Sequence, residues 1–139
     1  MLQHKHKILV VDDETEVRET IRMQLGDTQF EVIEAVNGED GIAMLNAEDN
    51  PLIVDVIICD VRMPKINGIE AVAYFRREYP STPVIVLTGF PDSKLAVEFL
   101  KEGVVDYLVK PVAKEQLIEA VTHAAEKHRL FGDGGDSML

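Results

Sequence analysis

The sequence predicts an α/β fold, a five-stranded parallel sheet with helices on both faces. Two observations predict it. Short apolar runs alternate five times with segments whose apolar residues recur at helical spacing. Most of these runs stop abruptly at a polar residue followed by turn signals, as strands do on reaching the rim of a sheet. The chain has 139 residues and is 46% hydrophobic, which suits one domain with a real core and is too short for two ordinary ones.

The elements follow in order. Lys7 to Val11 is apolar on both faces, as a central parallel strand is, and ends in Asp12-Asp13-Glu14. Asp13 or Thr15 then caps a helix carrying Val17, Ile21 and Leu25, stopped by Gly26-Asp27. Phe30 to Val36 is a second strand, interrupted by Glu31 and Glu34, which places it at an edge. Asn37-Gly38 turns the chain into a helix from Glu39 to Ala47 with Ile42 and Leu45 on one face. Asn46 to Pro51 is a polar break. Val54 to Cys59 is the third and most apolar strand, ending in Asp60. Gly68 opens a helix with Ile69, Val72 and Phe75 in phase, ended by Tyr79-Pro80. Val84 to Leu87 is the fourth strand, ending at Thr88-Gly89. Pro91-Asp92-Ser93 leads into a fourth helix with Leu95, Phe99 and Leu100, closed by Gly103. Val104 to Val109 is the fifth strand, ending at Lys110-Pro111. The fifth helix runs from Lys114 to about Leu130, with Leu117, Ile118, Val121, Ala125 and His128 on one stripe. Residues 1–6 read as an N-terminal tail, and 131–139 as a flexible C-terminal tail or a truncated linker.

Right-handed crossovers leave few topologies for such a chain. The flavodoxin-like doubly wound order 2-1-3-4-5, with five helices, puts the strand from Phe30 at one edge. Strands one and three then adjoin where the strand order reverses, the point where open α/β sheets bind ligands.

Composition excludes several classes. Formal net charge is 14 minus 25, or −11, with no basic cluster, so direct binding to nucleic acid or an anionic membrane is not expected. No apolar run approaches the ~18 residues of a membrane span. The basic N-terminus runs straight into a strand and is not a signal peptide. The single cysteine, Cys59, excludes a disulfide framework, fits a reducing cytoplasm, and reads as a small buried hydrophobe. His4-Lys5-His6 reads as solvated tail rather than a metal site.

In the proposed order Asp12, Asp13 and Asp60 converge from neighbouring strands, flanked by Thr88 and Lys110. Each has a plainer reading alone. Asp12-Asp13 suits a helix start, Thr88 a turn, Lys110-Pro111 a chain reversal, and Tyr107 an edge-strand core position. Their coincidence on one rim favours chemistry. Crowded carboxylates resist ionising unless a cation neutralises them, and an oxygen-only ligand set favours a hard ion, Mg²⁺ or Mn²⁺. Lys110 adds fixed positive charge and Thr88 a hydroxyl donor, a setting suited to a phosphoryl group. Asp60 is then the nucleophile, forming an acyl phosphate.

The text ILVVDDE, IICDVRMPKING, PVIVLTG and KEGVVDYLVKP, in this order and spacing over about Lys7 to Leu130, resembles the receiver domain of bacterial two-component response regulators. The resemblance implies that Asp60 is the phosphoacceptor. It implies that Asp13, Asp60 and the backbone carbonyl of Arg62 ligate Mg²⁺, with Asp12 acting through water. Lys110 and the backbone of Gly89 would contact the phosphoryl oxygens, Thr88 would shift toward one of them, and Tyr107 would turn into the space Thr88 leaves. The Lys110-Pro111 bond would be cis. The implied function is a phosphorylation-dependent signalling switch. A sensor histidine kinase or phosphotransfer protein supplies the phosphoryl group, and the surface of the fourth helix, fifth strand and fifth helix changes to control an effector or output domain. Such a domain is not an enzyme in the ordinary sense, although it takes part in its own phosphorylation and slow dephosphorylation. Homodimerisation through the same surface is an option, as are a stand-alone receiver and the N-terminal part of a larger regulator.

The chain departs from the family pattern at Val104 and Val112, both packing variants, and in a slightly long loop from Asn46 to Leu52. Arg62 and Phe90, each two residues past a site residue, are bulky and are expected to hinder the water that attacks the acyl phosphate. Two other classes compete. A Mg²⁺-dependent aspartyl phosphohydrolase of the haloacid dehalogenase type needs a second Asp at the position of Arg62. A small flavin carrier needs a hydroxyl- and Gly-rich phosphate loop where this chain has Asp12-Asp13-Glu14.

Overall fold

The computed structural model describes residues 6–62 and 68–128. His4 and Lys5, residues 63–67, and the expected tail after Leu130 lie outside the described residues.

Five strands form one parallel sheet in the order β2-β1-β3-β4-β5. The strands are β1 (His6–Val11), β2 (Phe30–Ala35), β3 (Val54–Cys59), β4 (Val84–Thr88) and β5 (Asp106–Val109). The helices are α1 (Thr15–Gln24), α2 (Gly38–Asn46), α3 (Asn50–Ile53), α4 (Gly68–Glu78), α5 (Ser93–Lys101) and α6 (Lys114–His128). The order is the one expected, with β2 at an edge. The addition is α3, a single turn of 4 residues with Pro51 in its first turn, which overlaps the end of the segment Asn46 to Pro51 expected to be a polar break. Proline fits there because the first helical N–H groups need no partner. The expected fourth and fifth helices are therefore α5 and α6.

Period-two alternation splits the central strands between two cores. Leu9, Val11, Ile57, Cys59 and Val86 face one way and pack with Val72 and Phe75 of α4 and Phe99 of α5. Ile8, Val10, Val56, Ile58, Ile85 and Leu87 face the other way and pack with Ile21 of α1 and Leu117 and Val121 of α6. Burying each such side chain contributes roughly 1.5–3 kcal/mol, which is why strands apolar on both faces belong in the middle. Two periodicity readings and one capping reading are corrected. Ile69 and Leu100 are 44% and 51% exposed, because the buried stripes of their helices run through Val72 with Phe75 and through Phe99. The N-cap of α1 is Glu14, whose side chain makes no capping bond, rather than Asp13 or Thr15.

At the N-terminal end of β3, away from the ligand rim, Asp55 is a buried carboxylate. It is shared by His6 of β1 and His128 of α6, the latter at 2.9 Å, so it ties the first strand to the last helix.

Candidate functional site

Register brings the site together. Val11 pairs with both Ala35 and Cys59, so β1 and β3 end level. Backbone bonds continue one step beyond the strands. The Asp60 N–H donates to the Val11 carbonyl at 2.9 Å, Asp12 N–H to Ala35 at 3.1 Å, and Lys110 N–H to Thr88 at 2.8 Å. Gly68 then returns so close that a Cβ there would meet the Asp60 carbonyl oxygen at 1.9 Å, so only glycine fits beneath that strand end.

One oxygen from each of Asp12, Asp13 and Asp60 lies within 4.8 Å of the others. Asp12 and Asp60 are buried, whereas Asp13 is exposed at the mouth. Lys110 Nζ enters from β5, 2.9 Å from Asp60 Oδ2, 2.8 Å from Asp12 Oδ2 and 2.9 Å from Glu14 Oε1. Asp60 Oδ1 accepts the Arg62 N–H at 2.9 Å, and Asp12 Oδ1 accepts the Glu14 N–H at 2.8 Å. Arg18 braces the wall by donating to the Asp12 carbonyl at 2.8 Å and to Glu34 at 2.8 Å.

Burial raises the Asp12 pKa above its ordinary value, and the nearby Lys110 ammonium and the bond from the Glu14 N–H only partly offset it. Burial works to lower the Lys110 pKa, but its contacts with Asp12, Glu14 and Asp60 outweigh that and leave the ammonium more basic than usual. Cys59 is pushed far up by burial and by the charges of Asp60 and Asp12, so it is an inert core thiol. Asp12 Oδ2 is buried and, though close to the ammonium, has no donor aligned for a hydrogen bond. An inward-facing oxygen of this kind, in an all-oxygen cluster, fits a hard divalent ion.

Thr88 is fully buried, and its Oγ1 accepts the Phe90 N–H at 3.1 Å. Gly89 lines the groove beside Lys110. The Lys110–Pro111 peptide bond is cis. The Tyr107 hydroxyl accepts the N–H of Asp92, the N-cap of α5, at 3.2 Å. Its ring lies 6.5 Å from that of Phe99. Two contacts were not foreseen in the sequence. One is Glu14 on Lys110. The other is the Arg62 guanidinium stacked 4.9 Å over the Phe90 ring, beside the pocket mouth.

The family model for the response regulator receiver domain matches residues 8–122. The chain belongs to the response regulator receiver domain family. A receiver domain from Clostridium thermocellum superposes with a TM-score of 0.83 at 33% identity, covering 91% of this chain and 98% of that one. The transcriptional regulatory protein ZraR of Salmonella typhimurium is 32% identical over 95% of this chain and 29% of its own length. The hydrogenase transcriptional regulatory protein HoxA of Cupriavidus necator is 35% identical over 91% of this chain and 25% of its own length. The chain thus spans less than a third of those two curated relatives. Membership in the receiver family implies phosphorylation-dependent signalling. Among the described residues, no helix is long and apolar enough to cross a membrane.

Proposed function

We propose that the chain is a phosphoryl-accepting signalling switch, with Asp60 as acceptor and Asp13, Asp60, the Arg62 carbonyl and, through water, Asp12 holding Mg²⁺ or Mn²⁺. The observation that carries this reading is the approach of Lys110 Nζ to Asp60 Oδ2 beside a cluster of three carboxylates, two of them buried. A bound divalent ion would supply positive charge that offsets repulsion between the carboxylates and the phosphoryl oxygens. Asp60 attacks phosphorus with a carboxylate oxygen, and Lys110 and the Gly89 backbone bind the phosphoryl oxygens. The Thr88 hydroxyl, which already accepts a hydrogen bond, has its proton to donate to one of those oxygens.

The switch runs through Thr88 and Tyr107. Tyr107 now holds the N-terminus of α5 through Asp92. Movement of Thr88 toward the phosphoryl group opens room for the Tyr107 ring, which releases that contact and alters the face made by α5, β5 and α6. Val97 and Leu100 of α5 and Val109 of β5 are 51%, 51% and 43% exposed, an apolar surface suited to a partner or a second copy. The proposed phosphoryl donor is a sensor histidine kinase or phosphotransfer protein in the cytoplasm, and the proposed target is an effector or output domain. The receiver unit is taken as residues 7–130 extended by His6, which opens β1 and bonds to Asp55.

The test is uptake of label from acetyl phosphate with and without Mg²⁺, followed by neutral hydroxylamine. A label that needs the cation and is released by hydroxylamine is expected of an acyl phosphate. A label that resists hydroxylamine, or no label, contradicts the proposal.

A further inference from the structure

We infer that Glu14 acts as an internal anion that occupies Lys110 before phosphorylation and slows the arrival of the phosphoryl group, an inference that rests on Asp60 being the acceptor. An ammonium has three N–H donors. Three carboxylates crowd the one on Lys110, with oxygens of Asp12, Glu14 and Asp60 at 2.8, 2.9 and 2.9 Å. The ammonium donates to Glu14 and Asp60 while Asp12 Oδ2 lies close without an aligned hydrogen bond, so a phosphoryl group that recruits Lys110 competes with these carboxylates for it.

The three differ in what holds them. The Asp12 and Asp60 side chains are 2% and 4% exposed, and each carboxylate also accepts a backbone N–H near the end of its strand. The Glu14 side chain is 59% exposed, on a longer stem, and makes no capping bond although Glu14 is the N-cap of α1. Glu14 serves the helix with its backbone, whose carbonyl accepts the Val17 and Arg18 N–H groups and whose own N–H donates to Asp12. Its carboxylate is committed to Lys110 instead, and it is the group that moves into water at least cost. Until it does, it withholds part of the positive charge that draws in an anionic donor. Exposed ion pairs of this kind are weak, so the effect is a rate modulation of roughly two- to fivefold.

The step read is phosphorylation by acetyl phosphate. An Asp60 carboxylate oxygen forms a bond to phosphorus, the bond from phosphorus to the acetyl oxygen breaks, and acetate leaves with the electron pair. The rate is followed by intact mass at saturating Mg²⁺ in the native chain, in Glu14→Gln and in Glu14→Asp. Asp keeps the charge but is one methylene too short to keep the grip. Both variants are expected to react roughly two- to fivefold faster than the native chain. Both should lose that advantage in a Lys110→Ala background, a dependence that a merely structural role for Glu14 does not produce. Unchanged rates overturn the inference. So does acceleration by Gln alone, which marks simple repulsion of the donor, or an effect that persists without Lys110. If the native chain takes up no phosphoryl group, the acceptor reading fails and the inference falls with it. If the native chain reacts and the variants match it, only the role of Glu14 fails.

Discussion

Lys110 Nζ stands 2.9 Å from Asp60 Oδ2, although 50 positions separate the two residues in the chain. Among the described residues, the ammonium is the one fixed cation held against both buried carboxylates of the pocket. Replacing it should therefore have opposite effects on metal binding and on stability. Lys110→Ala is expected to keep its affinity for Mg²⁺ or gain some, because a repelling charge is gone. Without metal it should lose about 3 kcal/mol, since buried carboxylates are left unpaired. Thermal unfolding with and without Mg²⁺ checks this, with the metal restoring most of the loss. Phosphorylated Lys110→Ala should also fail to change the environment of Tyr107, which its NMR resonances would report.

The bond from the Asp92 N–H to the Tyr107 hydroxyl joins the last strand to the start of α5. Tyr107→Phe removes it while leaving the ring against Phe99. Hydrogen exchange at the Asp92 amide should speed up by roughly fivefold, as suits one lost hydrogen bond of about 1 kcal/mol. Phosphorylation of the native chain should produce a similar change at that amide. Protection that is the same in all three states would remove Tyr107 from the switch.

Arg62 stacked over Phe90 covers one side of the pocket mouth. If Asp60 carries the phosphoryl group, water approaching from this side meets the stacked pair, so the double substitution Arg62→Asn with Phe90→Ala should shorten the phosphorylated lifetime. A cation–π contact of about 1 kcal/mol corresponds to roughly a fivefold change in rate. The decay of the phosphorylated mass after removal of acetyl phosphate measures it. An unchanged lifetime discards the shielding role.

Glu34, which shares Arg18 with the Asp12 carbonyl at the wall of the site, gives a pH signature in stability. Its pKa is held below the ordinary 4.5, chiefly by the bond from Arg22, with Arg18 also contributing against the cost of burial. A depressed carboxylate stabilises the fold above its unfolded pKa and loses that contribution as pH falls through the folded value. At neutral pH, Glu34→Gln should cost roughly 0.5–1 kcal/mol, for a partly exposed pair. The gap in unfolding midpoint between the native chain and the variant should close as the solution is taken below pH 4.5. A gap that stays constant with pH would mean the pair contributes nothing through its charge.

The sequence shows the sheet well because β3 and β1 are apolar on both faces, a pattern few other elements produce. It shows the pocket because four strand ends carry residues that each have a plainer reading alone but on one shared rim make a phosphoryl site. What it hides are contacts set by the reach of long side chains. Glu14 is 96 positions from Lys110, and nothing in either local stretch announces their pairing. Asp55 lies inside the most apolar run, and its partners His6 and His128 are 49 and 73 positions away. Arg62 and Phe90 stand out as bulky, but their stacking depends on loop geometry. The turn of α3 escapes detection because four residues are too few for helical periodicity to register.

Asp60 is proposed to accept phosphorus in a pocket shared with Asp13 and Lys110. After exposure to acetyl phosphate and Mg²⁺, intact mass should show one added phosphoryl group on the native chain and none on Asp60→Asn. Equal phosphorylation of both, or none on either, rules out Asp60 as the acceptor.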